Sequence, residues 1–158
     1  MKSLSLKLLD YHQWANNQLL DRLTELPSDL FICDLNSVFP TISDTFGHIY
    51  MVDKLWLHRM QNGDFALTPK TFENISQVRS AFELLYIDIN QFIKSVDLSK
   101  IINYKNSKGH EFNNSVFEIV QHLVYHGNYH RGNIASMIRN SGNRGIETDF
   151  IMYLRNKK

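Results

Sequence analysis

Cysteine is almost absent from this sequence. Cys33 is the single one among 158 residues, which excludes an internal disulfide and any zinc site built on pairs of cysteines. Long apolar runs are also missing, since none approaches the ~20 residues needed to cross a bilayer. The charged first ten residues contain no continuous apolar segment of the kind found in secretory signal peptides. We therefore expect a cytoplasmic protein that has no membrane partner.

An excess of charge of either sign is missing as well. The chain has 17 basic and 16 acidic residues, for a formal net charge of +1. Binding to nucleic acids depends on many contacts between basic side chains and phosphates, so we expect no nucleic-acid partner. Apolar residues make up 43% of the sequence, and the length is sufficient for a full core. The simplest organisation is a single domain that covers residues 1–158.

Helical periodicity is the strongest structural signal in the first two thirds of the chain. Apolar residues recur every three or four positions over residues 3–25, about 40–61 and 75–96, which predicts three amphipathic helices. Pro27 closes the first of them. Pro40 suits the start of the second, where its missing N–H group costs nothing. The third has the unbroken three-and-four alternation that is typical of a helical bundle.

The last third of the chain predicts a short insert and a fourth long helix. Residues 101–104 and 110–112 flank a turn and predict a small hairpin. The segment Ser115-Val-Phe-Glu118 has the spacing of a capping box, so a helix is expected from there to about Asn140. A short terminal helix is predicted within residues 148–154. Four long amphipathic helices around one core predict an all-α fold, a four-helix bundle.

Three of the seven histidines, His122, His126 and His130, fall at four-residue spacing within the fourth predicted helix. Adjacent members of this series lie one helical turn apart and can bind the same metal ion. His122 and His130 are separated by about 12 Å of helix rise, so they cannot easily do so. At most one adjacent pair would bind an ion, and a further ligand must come from elsewhere in the chain.

Helix geometry places some of these histidines on apolar faces. At 100° per residue, His126 and His130 share the stripe that contains Ile119 and Met137, and His48 lies on the core-facing stripe of the second helix. A buried imidazole without a partner costs about 1–3 kcal/mol. Either a metal ion or hydrogen bonds within the core would offset that cost. A three-histidine site would leave a fourth position open to water or substrate.

Several motifs, in their order and spacing, resemble the DinB-like family, the DinB/YfiT superfamily of metal-binding four-helix bundles. The motifs are YHQWANNQLL at 11–20, FGHI at 46–49 with LWLHR at 55–59, HLVYHGNYHRGNI at 122–134, and TDFIMYL at 148–154. The resemblance implies an up-down-down-up bundle, commonly a homodimer, and a divalent metal ion, usually zinc or nickel. By position it implies His48, His126 and His130 as the ligands, and it thereby selects the 126/130 pair.

Two chemistries and one non-enzymatic role are compatible with such a site. A bound divalent ion lowers the pKa of a coordinated water or thiol. The protein would then be a metal-dependent hydrolase, or a thiol S-transferase that uses a low-molecular-weight thiol cosubstrate. Relatives of the DinB-like family include thiol-dependent transferases and isomerases, so the resemblance favours the transferase. The alternative is a stress-associated metal-binding protein without catalysis. The sequence identifies neither the small-molecule substrate nor any catalytic residue.

Other polar residues near the motifs have candidate roles around the metal. Asp44, one turn before His48, could orient its ring. His122 and Tyr125 precede His126, and Arg131 could bind an anionic substrate, although a surface position is the simpler expectation for Arg131. His12 is likewise expected at the surface or half-exposed.

Overall fold

The computed structural model describes residues 1–63, 66 and 68–157, which form five α-helices, one 3₁₀ helix and one hairpin. In chain order these are α1 (Lys2–Thr24), the 3₁₀ helix (Ser28–Phe31), α2 (Ile42–Met60), α3 (Ile75–Ser95), β1 (Ile101–Lys105), β2 (Glu111–Ser115), α4 (Val116–Asn140) and α5 (Phe150–Asn156). The first four α-helices are the four long helices expected from periodicity, with ends within two residues of the prediction. The all-α fold class is confirmed.

Side chains at the helix starts explain where α2 and α4 begin. The Thr41 hydroxyl accepts a hydrogen bond from the backbone N–H of Asp44 at 2.9 Å, which satisfies one of the unpaired donors of the first turn. Pro40 therefore precedes the cap and lies outside α2. At α4, Ser115 and Glu118 form the complete capping box that the sequence predicts.

Contacts between helices give the direction of each one. α1 and α3 are antiparallel, as the contacts Lys2–Lys94 and Asn16–Tyr86 show. α1 and α4 are parallel, as the contacts Tyr11–Asn128 and Asn16–Arg131 show. α2 and α4 are antiparallel, as the contacts Thr45–Met137 and Trp56–His122 show. With α1 up, α2 and α3 point down and α4 points up. This is the expected up-down-down-up bundle.

The core is built from the apolar stripes of the four long helices. Leu19, Phe46, Ile89 and Leu123, one from each, are all fully buried. α1 packs against α3 and α4, and α2 packs against the same two helices, so α1 and α2 occupy opposite corners of the bundle. Over the ranges that the structure describes, no helix combines the length and apolar composition that a bilayer crossing requires.

The hairpin connects α3 to α4 and closes one end of the bundle. β1 and β2 pair antiparallel, with Ile101 opposite Ser115 and Lys105 opposite Glu111. Ser115 ends β2 and also caps α4, so the strand leads directly into the helix. Ile102 is 1% exposed and anchors the hairpin to the core.

A short part of the α2–α3 connection, residues 70–72, lies tightly against α2, and we call it the strap. The Ser43 hydroxyl donates to the carbonyl of Phe72 at 2.6 Å and accepts from its backbone N–H at 2.7 Å. Gly47 makes this approach possible, because a Cβ atom at that position would overlap the carbonyl oxygen of Lys70. The strap therefore depends on the absence of a side chain one residue before His48.

We predict opposite effects for glycine-to-alanine substitutions at two helical positions. Gly47→Ala is expected to lower the free energy of unfolding by about 1–3 kcal/mol, because the strap must move away from α2. Gly132→Ala is the control, since a Cβ there meets nothing within 4 Å. Alanine is the better helix former, so this control is expected to raise the free energy of unfolding by about 0.5–1 kcal/mol. Urea unfolding measures both, and equal effects at the two positions would contradict the close approach at Gly47.

Candidate metal centre

The structure brings His48, His126 and His130 together between α2 and α4. Each offers one ring nitrogen, and the three nitrogens lie within 4.8 Å of one another. His48 Nε2 is 3.1 Å from His126 Nε2. The ring of His130 lies 4.6 Å from that of His48 and 4.5 Å from that of His126, between centroids. These are the three residues that the sequence analysis proposes as ligands.

The helix positions explain why these rings meet. His126 and His130 are one turn apart on α4 and project toward the same side. α2 runs antiparallel to α4, and its His48 ring packs against the rings of His126 and His130. Two flanking contacts, Thr45 with Met137 and Trp56 with His122, hold the two helices in register on either side of the cluster.

The electrostatic environment keeps these rings neutral. Burial and, to a smaller extent, the nearby rings of His130 and His48 together lower the pKa of His126 to about 3. Burial also lowers the pKa of His130 to about 4, with a smaller contribution from His48. The pKa of His48 is lowered by burial against the opposing charge of Asp53. Neutral imidazoles carry the lone pairs that metal coordination needs.

The cluster fits a divalent ion in its donor set and spacing. Two nitrogen ligands at about 2.0–2.1 Å from a tetrahedral ion are about 3.4 Å apart, close to the 3.1 Å between His48 and His126. The Nδ1 atoms of His126 and His130 are buried with no hydrogen-bond partner among the described residues. The protein therefore leaves these two nitrogens without a hydrogen bond, and the contact between His48 Nε2 and His126 Nε2 is the hydrogen bond that a metal ion would replace.

Phe39 covers the cluster, a role that sequence reasoning missed. The centre of its ring lies 4.7 Å from that of His48, with the two planes tilted by 30°, and 5.6 Å from that of His130. The residue precedes Pro40 in the connection between α1 and α2, where no periodic signal exists. Only the folded path of that connection places an aromatic side chain against the histidines.

The other candidate residues do not converge on the cluster as ligands. The carboxylate of Asp44 accepts hydrogen bonds from the hydroxyls of Thr41 and Thr71, and so secures the strap and the helix cap. His122 packs its ring against Trp56 and lies 5.6 Å from His126, between ring centroids. Tyr125 is 69% exposed.

Two residues expected at the surface lie instead at the centre of the bundle. His12 is fully buried and Arg131 is only 1% exposed, so the surface expectation is wrong for both. Arg131 Nη1 donates to His12 Nδ1 at 3.0 Å, and His12 Nε2 is 3.0 Å from Asp53 Oδ2. Asn16 accepts from the same guanidinium at 3.1 Å and donates to the hydroxyl of Tyr86 at 2.7 Å.

Hydrogen-bond chemistry determines the state of His12 in this buried network. A guanidinium only donates, so His12 Nδ1 accepts and its Nε2–H donates to Asp53. Burial lowers the pKa of His12, against the charge of Asp53, and this agrees with a neutral ring. Gly127 permits the arrangement, because a Cβ atom there would overlap the His12 ring. A neutral imidazole thus bridges a buried carboxylate and a buried guanidinium.

The fold and the cluster together define a class: four-helix bundles that present three histidines from two antiparallel helices. Comparison with known proteins is consistent with this class, since the model of the DinB family matches residues 1–158. The chain is also similar to the curated protein described as Protein DinB of Bacillus subtilis (strain 168). The two are 30% identical over 164 residues, which cover 98% of this chain and 95% of that protein. The chain belongs to the DinB family.

We predict strong coupling between Asp53 and Arg131 in a double-mutant cycle. Asp53→Asn and Arg131→Met are each expected to lower the free energy of unfolding by about 3–5 kcal/mol, because each leaves one buried charge without its counterpart. The double variant removes both charges and should lose less than the sum. Asp21→Asn is the control. Asp21 forms an ion pair with Arg79, and its side chain is more than half exposed, so this substitution should have a small effect. Additive losses would rule out the bridged charge pair.

The lowered pKa values predict how the stability of the metal-free protein depends on pH. The unfolded chain takes up protons on its histidines near pH 6.5, whereas His126 and His130 in the folded protein resist protonation down to about pH 3 and 4. The unfolded state therefore binds more protons in this window, and the free energy of unfolding falls as the pH drops below 6.5. Urea unfolding from pH 7.5 to 5 should show a shallower decrease for His126→Asn. A slope unchanged from wild type would contradict the lowered pKa.

Proposed function

We propose that this protein binds one divalent metal ion through His48, His126 and His130. The observation that carries the proposal is the convergence of three ring nitrogens within 4.8 Å of one another. The Nδ1 atoms of His126 and His130 also have no hydrogen-bond partner among the described residues. Three protein ligands with a fourth position left open are typical of catalytic and not of structural zinc sites. Zinc and nickel both suit an all-imidazole set, and both are the metals that the family resemblance implies.

We infer further that the site serves metal-dependent thiol S-transfer. A bound divalent ion lowers the pKa of a coordinated thiol, so that a low-molecular-weight thiol cosubstrate is held as the nucleophilic thiolate. The three histidines would hold the ion, and Phe39 would exclude water from the side it covers. The thiol itself would come with the cosubstrate, since Cys33 donates to the carbonyl of Leu30 and is absent from the cluster.

The surrounding carboxylates favour thiol transfer over hydrolysis. A metal hydrolase generally needs a base or acid beside the bound water. Asp44 and Asp53 lie on the same helix as His48, but Asp44 binds two threonine hydroxyls and Asp53 binds His12 inside the core. Neither is left to move a proton at the metal. Thiol activation requires only the ion and the incoming thiol, which this set of residues provides.

We also propose that the protein is a homodimer, on the strength of the family resemblance alone, and that it is cytoplasmic, on the strength of its sequence composition. Static light scattering of the purified protein gives the mass directly. A monomer mass at micromolar concentration would contradict the proposed dimer but not the proposed metal centre.

The experiment that tests metal binding is the metal content of matched histidine variants. Wild-type protein is expected to retain one zinc or nickel ion per chain after dialysis, measured by elemental analysis. His48→Ala, His126→Ala and His130→Ala should each lose most of it, because two imidazoles hold an ion weakly. His122→Ala is the matched control and should keep full occupancy, since His122 is outside the cluster. Equal, negligible metal in all five proteins would overturn the proposal.

Cobalt substitution then separates the thiol enzyme from the alternatives. Cobalt in a site with an open position should develop a sulfur-to-metal absorption band when a small thiol is added. A site that binds cobalt and shows no spectral change with any thiol favours the non-enzymatic metal-binding protein.

A further inference from the structure

A cleft of about 380 Å³ lies directly beside the three-histidine cluster. His48 belongs to both, so a molecule in the cleft would contact one of the three proposed ligands. The walls come from the connection before α2, from α2 itself and from the connection that follows it. The lining residues other than His48 are Phe39, Pro40, Asp44, Met51, Thr68, Pro69, Lys70 and Thr71. A volume of this size is within the range of small-molecule sites.

The far wall of the cleft is fixed in place before any ligand arrives. The two hydrogen bonds between Ser43 and Phe72 hold the strap on α2. The hydroxyl of Thr71 donates to Asp44 at 2.7 Å, which adds a third attachment one turn before His48. These three hydrogen bonds attach residues 71 and 72 to α2, so this part of the wall is in place before a ligand binds.

The walls expose apolar surface and few free polar groups. Phe39, Met51 and Pro69 supply aromatic, thioether and ring surface. The carboxylate of Asp44 is satisfied by two threonine hydroxyls. The ammonium group of Lys70 lies 4.9 Å from the centre of the Phe72 ring, where it makes a cation–π contact. A strongly polar or multiply charged molecule would lose its hydration here without gaining enough hydrogen bonds.

We infer that this cleft binds the apolar body of a small molecule whose reactive end faces the thiol at the proposed metal centre. The inference rests on the proposed metal centre and adds the substrate class to it: small, neutral and largely apolar, an alkyl or aryl group in preference to a sugar or a phosphate ester. Phe39 has two roles in this arrangement, since it packs against the ligands His48 and His130 and also forms one wall of the cleft. The hydrophobic area buried in the cleft supplies the affinity.

The test compares two small thiols on the cobalt-substituted protein. Benzyl mercaptan carries an aromatic body, and 2-mercaptoethanol carries a polar one of small size. Absorption titrations of wild-type protein should give a dissociation constant for benzyl mercaptan at least about tenfold lower than for 2-mercaptoethanol, because the ring enters the cleft. Both thiols bind the cobalt ion through sulfur, so the ratio of their dissociation constants measures the contribution of the organic group that carries the sulfur.

Thr68→Trp fills the cleft from an exposed wall position and should bring the ratio of the two constants close to one. Ser107→Trp, on the exposed turn of the hairpin, is the matched control and should keep the wild-type ratio. Thr68→Glu is a second variant at the same position that adds charge with less bulk, and it should also reduce the preference. Circular dichroism confirms that each variant is folded.

The outcomes separate the cleft from the metal centre beneath it. Failure of wild-type protein to bind cobalt would defeat the proposed function and the cleft together. If cobalt binds and both thiols bind equally well, the metal centre stands and the apolar cleft is overturned. The same conclusion follows if Thr68→Trp, with normal cobalt binding, keeps the wild-type preference.

Discussion

The arrangement of the helices depends on a buried chain of hydrogen bonds that crosses the bundle from corner to corner. α1 and α2 occupy opposite corners, yet His12 of α1 contacts Asp53 of α2 at 3.0 Å, and Arg131 of α4 contacts the same imidazole. Burying a carboxylate and a guanidinium costs several kcal/mol for each ion. That cost is offset only when the helices are in one register, so the network selects a single packing that apolar side chains alone would specify less sharply.

This network and the histidine cluster lie back to back on α4. Arg131 follows His130 directly, and its guanidinium donates to His12 and Asn16 of α1 while the ring of His130 packs against His48 of α2. A rotation of α4 that moved the ligands away from His48 would therefore also break the contacts of Arg131 with His12 and Asn16. On the other side, Gly47 and the strap fix the surroundings of His48. Contacts on both α4 and α2 therefore hold the three histidines in position, as the residues of a preorganised metal site must be held.

The parts of the structure that follow from local pattern could be predicted from the sequence, and those that depend on long-range packing could not. The four helices, the capping box at Ser115 and the convergence of His126 with His130 all follow from the helical period. His12 and Arg131 were misjudged because a charged or titratable residue is normally exposed, and only a partner from another helix makes its burial tolerable. Phe39 and the strap lie in connections without periodicity, so their contacts with His48 are set by the folded path of the chain. The sequence shows Gly47 only as the residue before His48 in the FGHI motif. A glycine is needed there because the backbone of Lys70, more than twenty residues away in the chain, lies against it.

Charge balance connects the core network to the chemistry proposed at the cluster. Three imidazoles are neutral ligands and leave the full double charge on a bound divalent ion, which favours an anion in the fourth position. The carboxylate of Asp53 is buried and its charge acts on His48, and Arg131 balances this charge through the neutral His12 ring. A carboxylate held in this way would not be free to enter the coordination sphere of an ion at the proposed site, where it would reduce the charge of the ion and its effect on a bound thiol. In the proposed enzyme, Arg131 would therefore act on the acidity of a metal-bound thiol by helping to hold Asp53 within the core.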